Sequence, residues 1–388
     1  MRTSPLWLRR LLVGGVSAMA GAGLCAAALV TAGAANATSS FAVTPLAGAN
    51  RFATAAAIAA KAFPTGADTV IVASGLDTNL SDSLAASYLA AQENGGKGAP
   101  ILLTNPNSVP TETTTALQNL KATKVVIVGG TGAVSESVAV TIGTSGASGG
   151  TIAVSRVGSA NRFLTADAID SVTSMTAVGS KHTAIVADGL DQNLVDALGA
   201  SPLAAAGPYP LFLVNGPTGT LSTTDLSIMK TDGITNVILV GGSAAIGSQV
   251  ATTLTAAVPT ITSVQEAGAN RSATSEKLAD YEIANYGFSK TTFDIASGDQ
   301  SHLVDSLSGG PLGGARKAPT LITLSVDNAG DAATFAGANS ATEASAYLFG
   351  GTGSVDSTAT MAIEAAAKGT STTTTTMGTG TTTTTAPG

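Results

Sequence analysis

The same series of four motifs occurs three times in this chain of 388 residues, and the repetition constrains the fold more than any other feature. Each series runs from an Asn-Arg pair, through a segment with Gly and Asp and a Pro-apolar run, to a Gly-Gly pair after an apolar run. The leading glycines of those pairs are Gly129, Gly241 and Gly350, so the period is about 110 residues. Ordered motifs at a fixed period predict three homologous domains.

The motifs are readable in every copy, although they are not identical. The Asn-Arg pairs are Asn50–Arg51, Asn161–Arg162 and Asn270–Arg271. The second motif reads "SGLDTNLSDSL", "DGLDQNLVDAL" and "SGDQSHLVDSL". The third reads "APILLT", "YPLFLV" and "APTLIT", and the fourth "VVIVGGTGAVS", "VILVGGSAAIG" and "AYLFGGTGSVD".

Short apolar runs alternate with helix-like segments inside each repeat. In the first repeat the pattern predicts helices over 51–63, 81–92, 111–122 and 134–143, and strands over 68–74, 99–104, 124–130 and 151–157. Such alternation is typical of a parallel sheet covered by helices on both faces. We therefore predict an α/β fold of three tandem modules. All four motifs follow strands, so we expect them at the carboxyl edge of their own sheet, where ligands usually bind.

The two ends of the chain differ from the repeats in composition. Residues 1–37 combine three arginines, an apolar run and a final Ala-Asn-Ala, which predicts a cleaved export signal, with a retained N-terminal anchor as the alternative. A Thr-rich stretch over 369–388 lacks core-forming residues and predicts a disordered tail. The repeats between them are expected at 43–150, 151–260 and 261–368.

The charge balance limits the partners. The chain has a net charge of −7, and loss of the arginine-bearing leader would make it more acidic. Because it also lacks basic clusters, we expect no nucleic-acid partner. After the leader no apolar stretch is long enough to cross a bilayer, so we expect no integral membrane span after cleavage. The one cysteine, Cys25, lies in the leader, so the mature protein would contain no disulfide.

The four motifs resemble those of the cell wall-binding repeat 2 family, found as triple modules in surface proteins of Gram-positive bacteria. The resemblance covers residues 43–367 and implies three Rossmann-like or flavodoxin-like modules in a pseudo-threefold arrangement. It also implies non-covalent attachment to an anionic wall polymer, teichoic-acid-like or polysaccharide, and hence a secreted or wall-associated protein. The family's Pro-Ile-Leu-Leu element is present as Pro100, Ile101, Leu102 and Leu103. The third copy departs most, with Ser272 where the others have Phe52 and Phe163, and His302 where the others have Asn79 and Asn193.

Two sets of charged side chains are candidates for the site. The aspartates stand seven residues after each motif glycine, and either cap helices or contact a ligand or metal; they are Asp82, Asp196 and Asp305. Each motif arginine either pairs with its own repeat's aspartate, locking two loops together, or holds phosphate or carboxylate groups of the polymer. The neighbouring asparagines Asn50, Asn161 and Asn270 complete the candidate set.

Catalytic and cofactor sites are poorly supported by the sequence. His182 and His302 are the only histidines, and neither belongs to a zinc-ligand pattern, so we expect no metal site. The Gly-Gly motif lacks the final glycine of a dinucleotide fingerprint, so no cofactor is expected. We predict a non-catalytic wall-binding protein. An amidase-type wall hydrolase and a surface-layer or adhesion protein are the alternatives.

Overall fold

The computed structural model describes residues 41–173, 182–207 and 209–369, without the side chains of residues 81–83. The predicted leader and the tail beyond Gly369 lie outside these ranges. The first repeat contains β1 (Ala42–Leu46), α1 (Arg51–Ala62), β2 (Thr69–Ser74), α2 (Leu80–Gly96), β3 (Ile101–Thr104), α3 (Thr111–Asn119), β4 (Lys124–Val128) and α4 (Glu136–Gly143).

The second and third repeats follow the same order. The second contains β5 (Ala153–Val157), α5 (Arg162–Val172), β6 (Thr183–Asp188), α6 (Leu194–Gly199), α7 (Ser201–Ala206), β7 (Leu211–Val214), α8 (Thr223–Thr231), β8 (Asn236–Val240) and α9 (Ser248–Ala257). The third contains β9 (Thr262–Glu266), α10 (Arg271–Tyr286), β10 (Thr292–Ala296), α11 (Gly310–Arg316), β11 (Thr320–Ile322), α12 (Asp331–Asn339), β12 (Ser345–Phe349) and α13 (Ser357–Ala367). Short 3₁₀ helices lie at Asp77–Asn79, Ala147–Gly149, Asp191–Asn193 and Gln300–Ser306.

The strands of the described chain form three parallel sheets of four, and each sheet combines strands of two repeats. The first sheet has the order β3-β2-β4-β5 and the second β7-β6-β8-β9, so the first strand of a repeat completes the sheet of the repeat before it. The third sheet has the order β1-β12-β10-β11, in which β1 pairs with β12 from Ala42 opposite Ser345 to Leu46 opposite Phe349. The N-terminal strand therefore completes the last sheet, and the three sheets are linked in a closed cycle.

Burial explains the difference between inner and outer strands. All six residues of β2, "TVIVAS", are buried because helices cover both faces of the sheet. By contrast, β1, β5 and β9 are partly exposed edge strands, and polar residues such as Arg156 and Gln265 occupy them. Polar and charged residues on an edge strand disfavour pairing with another chain.

One hydrophobic core is shared by all three sheets. It includes Leu103 of the first sheet, Leu213 of the second and Ile322 of the third, together with the helices between them. Each sheet also has a separate cluster on its outer face, around Leu102, Phe212 and Phe293 respectively. The inner faces therefore bury one another, and no sheet has a complete core of its own.

Helices α2, α7 and α11, one from each repeat, pack against one another at the centre. A Cβ on Gly310 would lie 2.3 Å from Ser87 Oγ and 3.1 Å from the Ser201 carbonyl oxygen, so residues of all three repeats meet there. Around this centre α2 packs on α5, α6 on α10, and α11 on α1. The predicted fold class, three α/β modules in a pseudo-threefold arrangement, is confirmed.

Candidate functional site

The three motif asparagines cap the helices that they precede. The Asn50 side-chain oxygen accepts hydrogen bonds from the N–H groups of Phe52 and Ala53, at 3.1 and 2.9 Å. Asn161 and Asn270 accept from the third helical N–H group, at 3.0 and 2.9 Å. Asparagine is among the best N-cap residues, so capping accounts for these candidates without a ligand.

Each motif arginine reaches from the end of one sheet to the next sheet. Arg51 follows β1 of the third sheet, and its Nη1 donates to the Gly75 carbonyl oxygen, which follows β2 of the first sheet, at 2.5 Å. The same bond recurs from Arg162 to Gly189, at 2.7 Å, and from Arg271 to Gly298. The expectation that this motif lies at the edge of its own repeat's sheet is therefore wrong, because the strand before it belongs to the neighbouring sheet.

The arginines also pair with aspartates other than those expected. Arg51 Nη1 lies 2.6 Å from Asp77 Oδ1, and Arg162 pairs with Asp191. Both aspartates belong to the 3₁₀ turn that directly follows the strand, which brings them under the guanidinium. The expected pairing of Arg162 with Asp196 is wrong; Asp196 lies instead in the field of Arg271, from the next repeat.

The other two candidate aspartates are Asp305 and Asp82. Asp305 accepts a hydrogen bond from Ser354 Oγ at 2.5 Å. It is therefore paired with a serine of the Gly-Gly turn and not with an arginine. Asp82 lies in α2, but its side chain is outside the described part of the chain.

The Gly-Gly turns present backbone N–H groups at the carboxyl edge of each sheet. Gly129, Gly241 and Gly350 have φ of 104°, 115° and 106°, values that favour glycine. In each turn the next three N–H groups, those of residues 130–132, 242–244 and 351–353, have no acceptor within the described residues. Consecutive free N–H groups in a turn form a concave surface that suits an anion.

Two of the turns form a cleft with the Asn-Arg motif of the following repeat. The first cleft, of about 520 Å³, is lined by Thr78, Asn79, the turn 130–133 and residues 159–162. The third cleft, of about 430 Å³, is lined by residues 48–51, His302, Asp305 and the turn 351–354. The structure thus brings Asn161 and Arg162 to the first repeat's turn, and Asn50 and Arg51 to Asp305 of the third.

At the equivalent position between the second and third repeats, Asp196 lies beside the turn 241–245 and in the field of Arg271. A Cβ on Gly241 would lie 2.8 Å from Asp196 Oδ2, so the carboxyl lies directly against the turn. Burial raises the pKa of Asp196 to about 7, although Arg271 opposes the rise, and Asp188 contributes to it. Ser354 donates a hydrogen bond to Asp305 in the third repeat. The corresponding residue of the turn 241–245 is Ala245, which has no hydroxyl group.

A family comparison gives these repeats an identity. The model of the family described as cell wall binding domain 2 (CWB2) matches residues 46–139, 156–251 and 266–360, more than half of the chain. The chain belongs to the CWB2 family. Its three repeats are therefore cell wall-binding domains, and the expected resemblance is confirmed.

This CWB2 protein is similar to an amidase in sequence and to two clostridial proteins in structure. The chain is 30% identical over 276 residues to the N-acetylmuramoyl-L-alanine amidase LytC of Bacillus subtilis (strain 168), covering 71% of this chain and 49% of LytC. Its structure is similar to Cwp6 and Cwp8 from Clostridium difficile, each with a TM-score of 0.70 and 25% identity. These matches cover 86% and 85% of this chain, and 49% and 52% of the neighbours. The chain thus spans about half the length of the relatives it matches.

The family's Pro-Ile-Leu-Leu element lies inside the first CWB2 module. Ile101 and Leu103 of β3 face the shared core, whereas Leu102 faces the outer cluster of the first sheet. The carbonyl oxygen of Pro100 accepts the Ile71 N–H at 2.9 Å, which extends the pairing of β3 with β2. These residues stabilise the sheet and do not line either measured cleft.

The residues of the third CWB2 module that differ from the other two copies make local hydrogen bonds of their own. Ser272 is buried where the other modules have phenylalanine, and its Oγ accepts the Asp331 N–H at 2.8 Å, capping α12. His302 Nδ1 lies 3.0 Å from Ser301 Oγ, beside the third cleft. Within the described residues Arg271 forms no ion pair like those of Arg51 and Arg162. Its turn aspartate, Asp299, is shifted by one residue and accepts hydrogen bonds from Ser301.

The described residues contain neither a metal-ligand cluster nor a membrane-spanning helix. Within 41–173, 182–207 and 209–369, no group of three or more His, Cys, Asp or Glu side chains is arranged to hold a metal ion. No helix in the same ranges is both long and apolar enough to cross a membrane.

Proposed function

We propose that this chain attaches non-covalently to the cell wall by binding anionic groups of a wall polymer in these two clefts and at the equivalent position between the second and third repeats, and that it has no catalytic role. The observation that carries the proposal is the repeated pairing of three free backbone N–H groups with an arginine, found at equivalent places around the cycle. Backbone N–H groups and guanidinium are common ligands of phosphate and carboxylate.

Net charge supports local recognition over diffuse attraction. The chain is acidic, at −7, so a polyanionic wall repels it as a whole. The Nη1 atoms of Arg51 and Arg162 are already bound to a carbonyl oxygen and an aspartate, which neutralises much of their charge. A guanidinium has five N–H donors, so each arginine keeps others for a ligand while its position is fixed.

The repetition supports binding to a polymer with a repeating unit. Three sites held on one folded unit need not each bind tightly, because the first contact raises the local concentration of the polymer at the others. Avidity gains on the order of 100-fold or more are typical when the geometry allows simultaneous contact. Attachment at the wall also agrees with the predicted export signal and with secretion of the mature protein.

The test blocks the clefts and leaves the fold unchanged. A Cβ on Gly132 or Gly353 would meet no atom within 4 Å, and neither glycine has a positive φ, so both positions accept a side chain without a clash at Cβ. Gly132→Trp, Ala244→Trp and Gly353→Trp together place one indole in each of the two clefts and one at the equivalent position. The matched control carries Val140→Trp, Val172→Trp and Met361→Trp, at exposed apolar positions outside the measured clefts.

Sedimentation with isolated Gram-positive walls, before and after removal of their anionic polymers, measures the effect. We expect wild type and control to sediment with intact walls only, and the cleft-blocked protein to lose at least tenfold in affinity. Equal binding by the cleft-blocked and control proteins would remove the clefts as the site. The similarity to LytC favours an amidase as the second candidate; sustained release of soluble wall fragments in the same incubation would support it and contradict a purely binding role.

A further inference from the structure

The third cleft has an ionisable side chain at a position where the first cleft has a neutral one. His302 and Asn79 occupy the same place in the second motif, and each lines the cleft at the turn of its own repeat. Both clefts also contain a turn with three free N–H groups and a motif arginine. The two clefts therefore differ at this position in whether the side chain can gain a positive charge.

The hydrogen bonds around His302 determine which ring nitrogen carries the proton. Backbone and side-chain hydrogen bonds from Ser301 lower the pKa of Asp299, so its carboxylate is ionised and can only accept. The single hydroxyl hydrogen of Ser301 is donated to Asp299 Oδ1 at 3.0 Å, so in the contact of Ser301 Oγ with His302 Nδ1, also 3.0 Å, the ring is the donor. The neutral ring therefore has its proton on Nδ1 and a lone pair on Nε2, which has no partner among the described residues.

Asn79 presents a different group to the first cleft. Thr78 Oγ1 donates to Asn79 Oδ1 at 3.0 Å, which leaves the N–H groups of the side-chain amide for a ligand. An amide donates to an anion at any pH, whereas the Nε2 lone pair of a neutral imidazole repels one. Only the protonated imidazole has a second N–H donor.

We propose that the third cleft is a pH-dependent anion site, in which protonated His302 donates a hydrogen bond from Nε2 to a phosphodiester or carboxylate oxygen of the ligand. This inference rests on the proposed function, since it concerns the regulation of one of its binding sites. The first cleft, with Asn79, binds the same groups independently of pH. As pH falls, the share of the attachment that the third cleft carries therefore increases.

The charged groups near the imidazole have both signs. Asp299 is joined to the ring through Ser301, and Asp305 and Arg51 line the same cleft. Arg271 acts on the Asp299 carboxylate. The two aspartates favour a cationic ring and the arginines disfavour it. A bound anion adds a further negative charge beside the ring, so that binding and protonation favour each other.

Proton linkage gives a measurable consequence. Affinity at the third cleft should rise as pH falls from 8 to 5, the interval in which histidine ordinarily gains its proton. Because a hydrogen bond from a charged donor is stronger than one from a neutral donor, we expect an increase of about tenfold. His302→Asn gives the third cleft the residue of the first, so its affinity should be nearly constant over that interval. Asn79→His is the converse variant and should give the first cleft a pH dependence.

The experiment uses the full chain in two blocked backgrounds. Gly132→Trp with Ala244→Trp leaves the third cleft open, and Ala244→Trp with Gly353→Trp leaves the first cleft open. A glycerol phosphate oligomer too short to span two clefts and a galacturonate oligomer of similar length are titrated separately by calorimetry at pH 5 and pH 8 and constant ionic strength. At an intermediate pH, two buffers of different ionisation enthalpy should reveal proton uptake by the open third cleft and by Asn79→His in the open first cleft, and none by His302→Asn. The oligomer that binds distinguishes phosphodiester from carboxylate recognition.

Three outcomes would overturn the inference or its basis. Equal pH dependence and equal proton uptake with and without His302→Asn in the open third cleft would overturn it. So would the absence of binding at the open third cleft at pH 5 while the unblocked chain binds, a result that leaves the proposed function to the other sites. Failure of the unblocked chain to bind either oligomer at any pH would overturn the proposed function itself. Equal unfolding temperatures at pH 5 establish that the variants are folded.

Discussion

At the scale of single residues, the constant feature of the three arginines is their hydrogen bond to a glycine carbonyl oxygen of the neighbouring sheet. The ion pairs beside it are variable, and the Asp77 and Asp191 side chains are 59% and 60% exposed. Exposed pairs of this kind contribute about 0–1 kcal/mol to stability. The carbonyl bond, present in all three copies, is therefore what fixes the position of each arginine.

The sequence predicted that the arginines pair with aspartates, but in the second repeat it did not predict which aspartate. Both candidate aspartates of the second repeat, Asp191 and Asp196, lie in one motif, and spacing along the chain does not decide which of them an arginine from another element reaches. That choice depends on where α5 begins relative to β6. The position of each arginine between two sheets could not be predicted from the sequence either, because it depends on strand pairing and not on the motif.

A buried carboxyl outside the clefts should make stability depend on pH. Asp170 of α5 is 3% exposed, and its Oδ2 has no partner among the described residues. Burial raises its pKa well above the usual range, and Asp225, Asp167 and Asp232 add to the rise. Burial, and then a hydrogen bond with Asp167, raises the pKa of Asp225 to about 8.

Because these folded-state pKa values exceed those of the unfolded chain, the folded protein binds more protons, and stability must fall as pH rises from about 4 to about 8. Asp170→Asn removes one of these titrations, so we expect it to raise the free energy of unfolding at pH 8 by about 1 kcal/mol or more, with a smaller effect at pH 5. Urea unfolding at both pH values checks this. A variant that is less stable than wild type at pH 8 would show that Asp170 is ionised in the folded protein.

At the scale of elements, the sequence predicted most of the local structure. The helix expected over 51–63 is α1, Arg51–Ala62, and the strand expected over 68–74 is β2, Thr69–Ser74. Continuous apolar runs and capping asparagines determine these elements locally. The pairing of β5 with β4 of the preceding repeat could not be read in the same way, because a repeat has the same period whichever sheet its first strand joins.

The packing of α11 on α7 depends on the absence of a side chain at Gly314. A Cβ there would lie 2.8 Å from Ala205 Cβ and 2.9 Å from backbone atoms of Ala205 and Ala206. Since backbone atoms cannot rotate away, we expect Gly314→Ala to lower the free energy of unfolding by about 1–3 kcal/mol. Gly337→Ala is the matched control in α12, where the nearest atom is 3.8 Å away and added helix propensity should stabilise. Chemical denaturation measures both; equal effects would contradict close packing at the centre.

At the scale of the whole molecule, the shared core and the pairing of β1 with β12 make the three CWB2 repeats one closed unit. The described residues, 41–173, 182–207 and 209–369, accordingly form a single compact unit. The repeats and the family resemblance predicted three modules in a pseudo-threefold arrangement. They did not predict that both clefts draw their two walls from different repeats, which follows from the exchange of first strands between sheets.

The central claim is that the two clefts and the equivalent position between the second and third repeats are the binding sites, and a count of bound ligands tests it most directly. Calorimetric titration with a glycerol phosphate oligomer too short to span two clefts should give three sites per wild-type chain. Blocking one, two and three of these sites with Gly132→Trp, Ala244→Trp and Gly353→Trp should leave two, one and none. A triply blocked protein that remains folded and still binds the oligomer with the wild-type stoichiometry would contradict the account.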